Sequence, residues 1–61
     1  MANLTAKELS ALEDQLNMEQ VLVRKYQTMA EQVNEMDLKN QFKSISSRHQ
    51  QHYNTLLGFL Q

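Results

Sequence analysis

The six residues VNEMDL, at positions 33–38, decide how this chain folds. Apolar residues recur at steps of three and four on either side of this segment, as in a helix that packs on a partner, but the segment itself breaks the pattern. Asn34 or Glu35 could cap a new helix, and Asp37 would then lie in its first turn, where the helix dipole favours a negative charge. The segment therefore predicts a turn between two helices, and a single continuous helix in a long coiled coil is the competing interpretation.

Helix-breaking residues are almost absent from the rest of the chain. There is no proline, and the only glycine, Gly58, lies near the end. Thr5 and Glu8 have the spacing of a capping box, in which each side chain satisfies a free backbone N–H at the start of a helix. We predict an all-α fold in one domain, residues 1–61, with a helix over about 5–33, a turn over about 34–36 and a helix over about 36–59.

Each predicted helix carries an apolar seam that is interrupted only by ionisable residues. The first seam is Leu9, Leu12, Leu16, Glu19, Val23, Tyr26, Ala30 and Val33, and the second is Leu38, Phe42, Ile45, His49, His52, Leu56 and Phe59. Further apolar residues widen both stripes, namely Met18, Leu22 and Met29 on the first helix and Tyr53, Leu57 and Leu60 on the second. Two helices alone cannot cover stripes this wide.

The short length of the chain points to a partner. A chain of 61 residues rarely buries enough apolar surface to be stable alone, and with no cysteine it can form no disulfide. A symmetric homodimer that forms an antiparallel four-helix bundle is a common solution for a helical hairpin. An adaptor whose apolar end, residues 54–60, receives a different protein is another interpretation, and it predicts a stable monomer.

Three ionisable seam residues are expected to meet at one level of the hairpin. In an antiparallel pair that turns near residue 35, positions whose numbers add to about 70 lie side by side. Glu19 then faces residue 51, and His49 and His52 lie on either side of that level. One carboxylate and two imidazoles are suitable ligands for zinc, iron or manganese. The alternative is a buried polar network that fixes helix pairing without a metal.

Several functional classes are disfavoured by the composition. Six lysines and arginines are scattered among seven acidic residues, which is unlike a nucleic-acid-binding surface. The longest apolar run, LLGFL, is too short to cross a membrane, and the first residues lack the pattern of a secretory signal. No serine has the acidic orienting residue and oxyanion loop of a hydrolase. We expect a cytoplasmic protein, and catalysis is not indicated.

Residues 8–26, ELSALEDQLNMEQVLVRKY, and residues 38–60, LKNQFKSISSRHQQHYNTLLGFL, together resemble a known family. They are similar to the short spore coat protein F-like (coat F) proteins of endospore-forming bacteria, within the ferritin-like superfamily. The resemblance implies a helical hairpin of a ferritin-like four-helix bundle, a location in the spore coat and contacts with other coat proteins.

The same resemblance implies roles for the three polar seam residues. Superfamily members carry a Glu on one helix and a Glu-x-x-His motif on the other. Glu19 matches the first Glu and His52 matches the His, but His49 stands where the motif has its second Glu. An imidazole cannot bridge two metals as that carboxylate does, so the departure favours a mononuclear site, or none, over a dinuclear one. The resulting prediction is a small structural or coat-associated protein, and the alternative is a metal-dependent oxidoreductase or metal store that uses these residues from both subunits.

Overall fold

The computed structural model describes residues 3–61, which form two long helices that pack against each other in an antiparallel hairpin. Helix α1 is Ala6–Gln32, helix α2 is Met36–Leu57, and a 3-10 turn, Gly58–Leu60, follows α2 directly. The predicted hairpin is confirmed, and the chain does not continue as one helix through the midpoint.

Helix α1 begins with the predicted capping box. The Thr5 backbone N–H donates to Glu8 Oε1 over 2.9 Å, and the Glu8 backbone N–H donates to Thr5 Oγ1 over 3.1 Å. The hydrogen bond from the Thr5 backbone also lowers the pKa of Glu8, because it stabilises the carboxylate form. The chain therefore fixes the start of α1 with local contacts alone.

The turn between the helices is closed from the α2 side. Glu35 caps α2 by accepting hydrogen bonds from the backbone N–H groups of Asp37, at 3.1 Å, and Leu38, at 2.6 Å. Of the two caps predicted, the structure therefore uses Glu35. Helix α1 has no basic residue in its last turn. Lys39 of α2 compensates, because its ammonium group donates to the backbone carbonyl of Ala30.

The end of α2 differs slightly from the prediction. The α-helix ends at Leu57, two residues earlier than predicted, and tightens into the 3-10 turn. Gly58 keeps a right-handed conformation with φ −57° and ψ −26°, and its N–H bonds back to the carbonyls of Asn54 and Leu56. The glycine therefore does not stop the helix by a left-handed turn, and tighter hydrogen bonding ends it instead.

Ser46 of α2 is a polar residue that is buried against α1. Ser46 is 5% exposed, and its hydroxyl donates a 2.9 Å hydrogen bond to the backbone carbonyl of Val23 on α1. The only buried apolar side chains among residues 3–61 are Leu16 and Ala30. Ser46 contacts Val23, and Lys39 contacts Ala30. In each pair the two residue numbers add to 69, close to the predicted sum of about 70. The predicted register is confirmed.

The hairpin has two unlike broad sides. The buried residues of each helix face the other helix. Successive residues of a helix are turned by about 100°, and the residues on one flank of the buried ones are mostly apolar. We call this flank of the hairpin the apolar side. Its members are Met18, Leu22, Met29, Ile45, Leu56 and Phe59. The opposite flank, the polar side, forms an open groove of about 650 Å³ whose lining includes Asn17, Gln20, Arg24, Gln27, Gln50 and Tyr53.

The apolar side is only half covered within one chain. Leu22, Met29, Ile45 and Leu56 are intermediate in exposure, while Met18 and Phe59 are about half exposed, at 52% and 50%. The rod measures 46 × 15 × 11 Å. Among the described residues, neither helix has an apolar stretch long enough to cross a membrane.

Candidate metal centre

Glu19 lies at the middle of α1 and is buried against α2, although it is a charged residue. Its side chain is 8% exposed. Oε1 accepts a 2.6 Å hydrogen bond from Nδ1 of His49, and Oε2 accepts a 3.0 Å bond from the Gln15 side-chain amide. Both carboxylate oxygens are therefore satisfied, as a buried carboxylate requires.

The Glu19 carboxyl is held in its charged form. The hydrogen bond from His49 lowers its pKa, and the bond from Gln15 and the nearby imidazoles act in the same direction, while burial opposes them. An ionised carboxylate can only accept hydrogen bonds, so Nδ1 of His49 must carry the shared hydrogen.

The second histidine lies farther out on the same flank. Nδ1 of His52 is 3.6 Å from Oε1 of Glu19, the oxygen that His49 also contacts. The side chain of His49 is 21% exposed and that of His52 is 59% exposed. The three residues thus form a graded series from the helix interface towards the apolar side, and in a single hairpin His52 still faces solvent.

Aromatic rings hold His49 in place. The Tyr26 ring stacks on the His49 imidazole with centroids 5.9 Å apart and an interplanar angle of 17°. The His52 ring meets the His49 ring edge-on, at 5.6 Å and 82°. The Phe42 ring also packs against the Tyr26 ring, with centroids 5.9 Å apart and an interplanar angle of 47°. This packing limits the rotation of His49 and orients its Nδ1 towards Glu19.

The predicted ligands Glu19, His49 and His52 are therefore brought together. Each offers one donor atom, and these atoms lie within 4.8 Å of one another. Sequence reasoning missed Gln15 and Ser46. Gln15 could have been found from its spacing of four residues before Glu19, which places the two side chains on one face of α1. Ser46 gave no such signal, because its partner is a backbone carbonyl of the other helix.

The three donors could hold one metal ion only after they rearrange. Two ligand atoms of a tetrahedral ion with bonds near 2.0 Å lie about 3.3 Å apart. The Glu19–His52 separation of 3.6 Å is already close to that value, whereas the Glu19–His49 separation of 2.6 Å is a direct hydrogen bond. A metal would have to replace that hydrogen bond and displace its proton, so metal and proton compete for one position.

Comparison of the chain with protein-family models, with curated proteins and with solved structures found no match.

Proposed function

We propose that this chain is a small structural protein that acts as a homodimer, in which two hairpins join their apolar sides to form a four-helix bundle. The observation that carries the proposal is the incomplete core. Leu16 and Ala30 are the only buried apolar side chains among residues 3–61, and no large side chain there is fully enclosed. A second copy would cover the half-exposed side chains of the apolar side.

The dimensions of the hairpin support self-association. A side of 46 × 15 Å has a projected area of roughly 700 Å², close to the ~800 Å² per partner of a standard stable interface. The apolar side also runs along both helices, from Met29 near the turn to Phe59 near the open end. A partner of the same length and shape could cover it completely.

Residues near the cluster favour a structural role over catalysis. The Ser46 hydroxyl, one helical turn from His49, donates to the Val23 carbonyl instead of to an imidazole. The Glu19 carboxylate is occupied by two hydrogen bonds. A location in the spore coat and contacts with other coat proteins are the biological setting we propose, on the strength of the resemblance of residues 8–26 and 38–60.

The oligomeric state tests the dimer directly. We expect light scattering to give twice the chain mass and the melting temperature to rise with protein concentration, because dimerisation stabilises the folded state by mass action. Leu22→Glu on the apolar side should give a monomer. Val21→Glu is the matched control, since Val21 is the adjacent residue and lines the polar-side groove. A wild-type chain that stays monomeric and fully helical would overturn the proposal.

Metal binding is a second candidate function, favoured by the three donors that lie within 4.8 Å. A bound zinc, iron or manganese ion would supply Lewis-acid or, for the last two, redox chemistry, as in the oxidoreductase or metal-store alternative. Within this chain, Glu19 and His49 would orient the ion and Gln15 would hold the second carboxylate oxygen.

Metal content tests the second candidate. Protein purified without a histidine tag or chelator should contain about one ion per chain if the site functions as three ligands. Glu19→Gln should lose the ion, and Glu13→Gln, which changes an exposed carboxylate of the same helix, should retain it. Wild-type protein that takes up none of the three metals at micromolar concentration would exclude this function and leave the structural one intact.

A further inference from the structure

The apolar side is centred on the level of Glu19. Residues whose numbers add to 69 lie level in the observed register, so Phe59 of α2 is level with position 10 of α1. The six members of the apolar side therefore extend from the level of position 10 to Met29, and their mean level falls between residues 19 and 20. A second copy that covers this side along its whole length must bring its own Glu19 to nearly the same level.

The spacing of the central residues is symmetric about this level. Met18 and Leu22 are centred on position 20 of α1. Ile45 and His52 are centred between residues 48 and 49 of α2, which are level with positions 21 and 20. If each helix packs antiparallel on its own copy at this level, Met18 meets the partner's Leu22 and Ile45 meets the partner's His52. Each contact then occurs twice, as a two-fold interface requires.

Two face-to-face arrangements of the hairpins provide this overlap. In the first, the hairpins point in opposite directions and each helix packs on its own copy. In the second, both turns lie at the same end of the bundle, and α1 packs on the α2 of the partner. Neighbouring helices are antiparallel in both bundles. The apolar contacts therefore do not separate the two arrangements, and the charges along the edges of the apolar side do.

Charged residues border the apolar side on both helices. On α1, Lys25 lies seven residues after Met18 and Asp14 lies four residues before it, so both share the outer edge of this side. The Lys25 ammonium lies 5.8 Å from the centroid of the Tyr26 ring, which keeps the charge at this border. Arg48 borders the apolar side on α2.

The first arrangement pairs opposite charges, whereas the second pairs like charges. With the axis at position 20, Lys25 of each subunit lies about 1.5 Å along the bundle from the partner's Asp14. This gives two attractive contacts, against one repulsive contact between Arg48 and its own copy. In the second arrangement Lys25 lies about 6 Å along the bundle from the partner's Arg48. That repulsive contact occurs twice, and Asp14 meets the uncharged Thr55.

Building on the proposed homodimer, we propose that α1 packs antiparallel on the α1 of a second copy, with the two-fold axis at position 20 and Lys25 of each subunit paired with the partner's Asp14. The Glu19–His49 pairs of the two subunits then form one polar layer at the centre of the bundle. The two Glu19 positions are about 3 Å apart along the bundle, and the two His49 positions about 1.5 Å apart.

The layer is satisfied within each subunit. Glu19 keeps its hydrogen bonds to His49 and Gln15, so no polar group depends on a bond across the interface. The partner's Ile45 covers His52, which is 59% exposed in one hairpin. A slip of the two hairpins along the bundle would press each charged pair against apolar groups, so the layer and the edge charges select the same alignment.

A charge exchange tests the pairing. Lys25→Asp should weaken dimerisation roughly tenfold at low salt, because it faces the partner's Asp14, and Asp14→Lys should do the same. The double variant should return to within about twofold of wild type, since opposite charges face each other again. The two residues are about 16 Å apart within one chain, so their coupling reports the partner. Sedimentation equilibrium gives the dissociation constants.

The matched control is Arg24→Asp, which changes the net charge equally at the adjacent residue. Arg24 lines the polar-side groove, so the dissociation constant should change less than about twofold. Losses that add in the double variant would overturn the pairing. A tighter dimer for Lys25→Asp would indicate the second arrangement, in which that position faces Arg48. A monomeric wild-type chain would instead refute the homodimer itself, so the two failures are distinguishable.

A spin label at Gln32→Cys measures the alignment without altering a charge. Gln32 is exposed at the end of α1, and the natural chain has no cysteine. An axis at position 20 sets the two labels about 36 Å apart along the bundle, and moving the axis by one helical turn changes this distance by about 11 Å. The second arrangement sets the labels level, well under 30 Å apart. Pulsed electron-electron double resonance resolves these distances, and any main distance outside about 31–41 Å would overturn the proposed axis.

Discussion

Nδ1 of His49 donates a 2.6 Å hydrogen bond to Oε1 of Glu19, and this contact links the two helices at the middle of the rod. It joins residues that are thirty positions apart in the chain. A buried carboxylate in an interface this thin is stable only because His49 and Gln15 satisfy it.

Glu19→Ala should lower the free energy of unfolding by about 2 kcal/mol, because it leaves the partly buried Nδ1–H of His49 without its acceptor. Urea denaturation followed by circular dichroism measures the change. Glu13→Ala, on the exposed face of the same helix, should stay within about 0.5 kcal/mol of wild type. Equal losses in both variants would mean that helix propensity, and not the contact with His49, explains the effect.

Acid should destabilise the protein partly through Glu19. The pKa of Glu19 is lowered in the folded state from an ordinary value of 4.5, so its contribution is fully present above that value. The contribution is lost as the pH falls below 4.5 and through the folded-state pKa. We therefore expect wild type to lose more stability than Glu19→Gln between about pH 5 and pH 3.

The comparison with Glu19→Gln is needed because Glu8, whose pKa is also lowered, contributes in the same direction in both proteins. Chemical denaturation at a series of pH values gives the two curves. Parallel curves would show that Glu19 has the same proton affinity in the folded and unfolded chains.

Ser46 should tolerate neither loss of its hydroxyl nor a larger side chain. Ser46→Ala removes the hydrogen bond to the Val23 carbonyl and should cost about 1 kcal/mol. Ser46→Leu should cost more, roughly 1–3 kcal/mol, because the helices must separate to accept it. The exposed neighbour Ser47 supplies the matched substitutions, which should be nearly neutral. Thermal unfolding of the four variants decides the matter, and similar effects at both positions would contradict close packing at Ser46.

Lys39→Met should destabilise the hairpin by about 1–2 kcal/mol, because the Ala30 carbonyl at the end of α1 loses its charged donor. Methionine keeps most of the aliphatic length, so the packing changes little. Lys43→Met, one turn farther along α2 and exposed, is the control and should be neutral. Hydrogen exchange at the last turn of α1 should also speed up in Lys39→Met alone. Unchanged exchange there would show that the contact does not protect the turn.

The sequence alone was enough to predict the helices and their register. The capping box of Thr5 and Glu8 and the cap at Glu35 are local signals, formed by residues two or three apart, so the chain specifies them before any tertiary contact exists. The level of Glu19 with His49 and His52 followed from the turn position and the constant rise of a helix. The end of α2 was predicted two residues too late, because the change to a 3-10 turn at Gly58 has no strong sequence signal.

Tertiary structure decided which side of each seam is enclosed. The seam pattern treats His49 and His52 alike, yet His49 is drawn into the helix interface and His52 stays on the apolar side. The seam pattern also does not include Ser46, which is the most buried residue of α2. The physical reason is that periodicity fixes only the direction in which a side chain points along one helix. How closely two helices approach, and which polar groups can then find partners, depends on both surfaces at once.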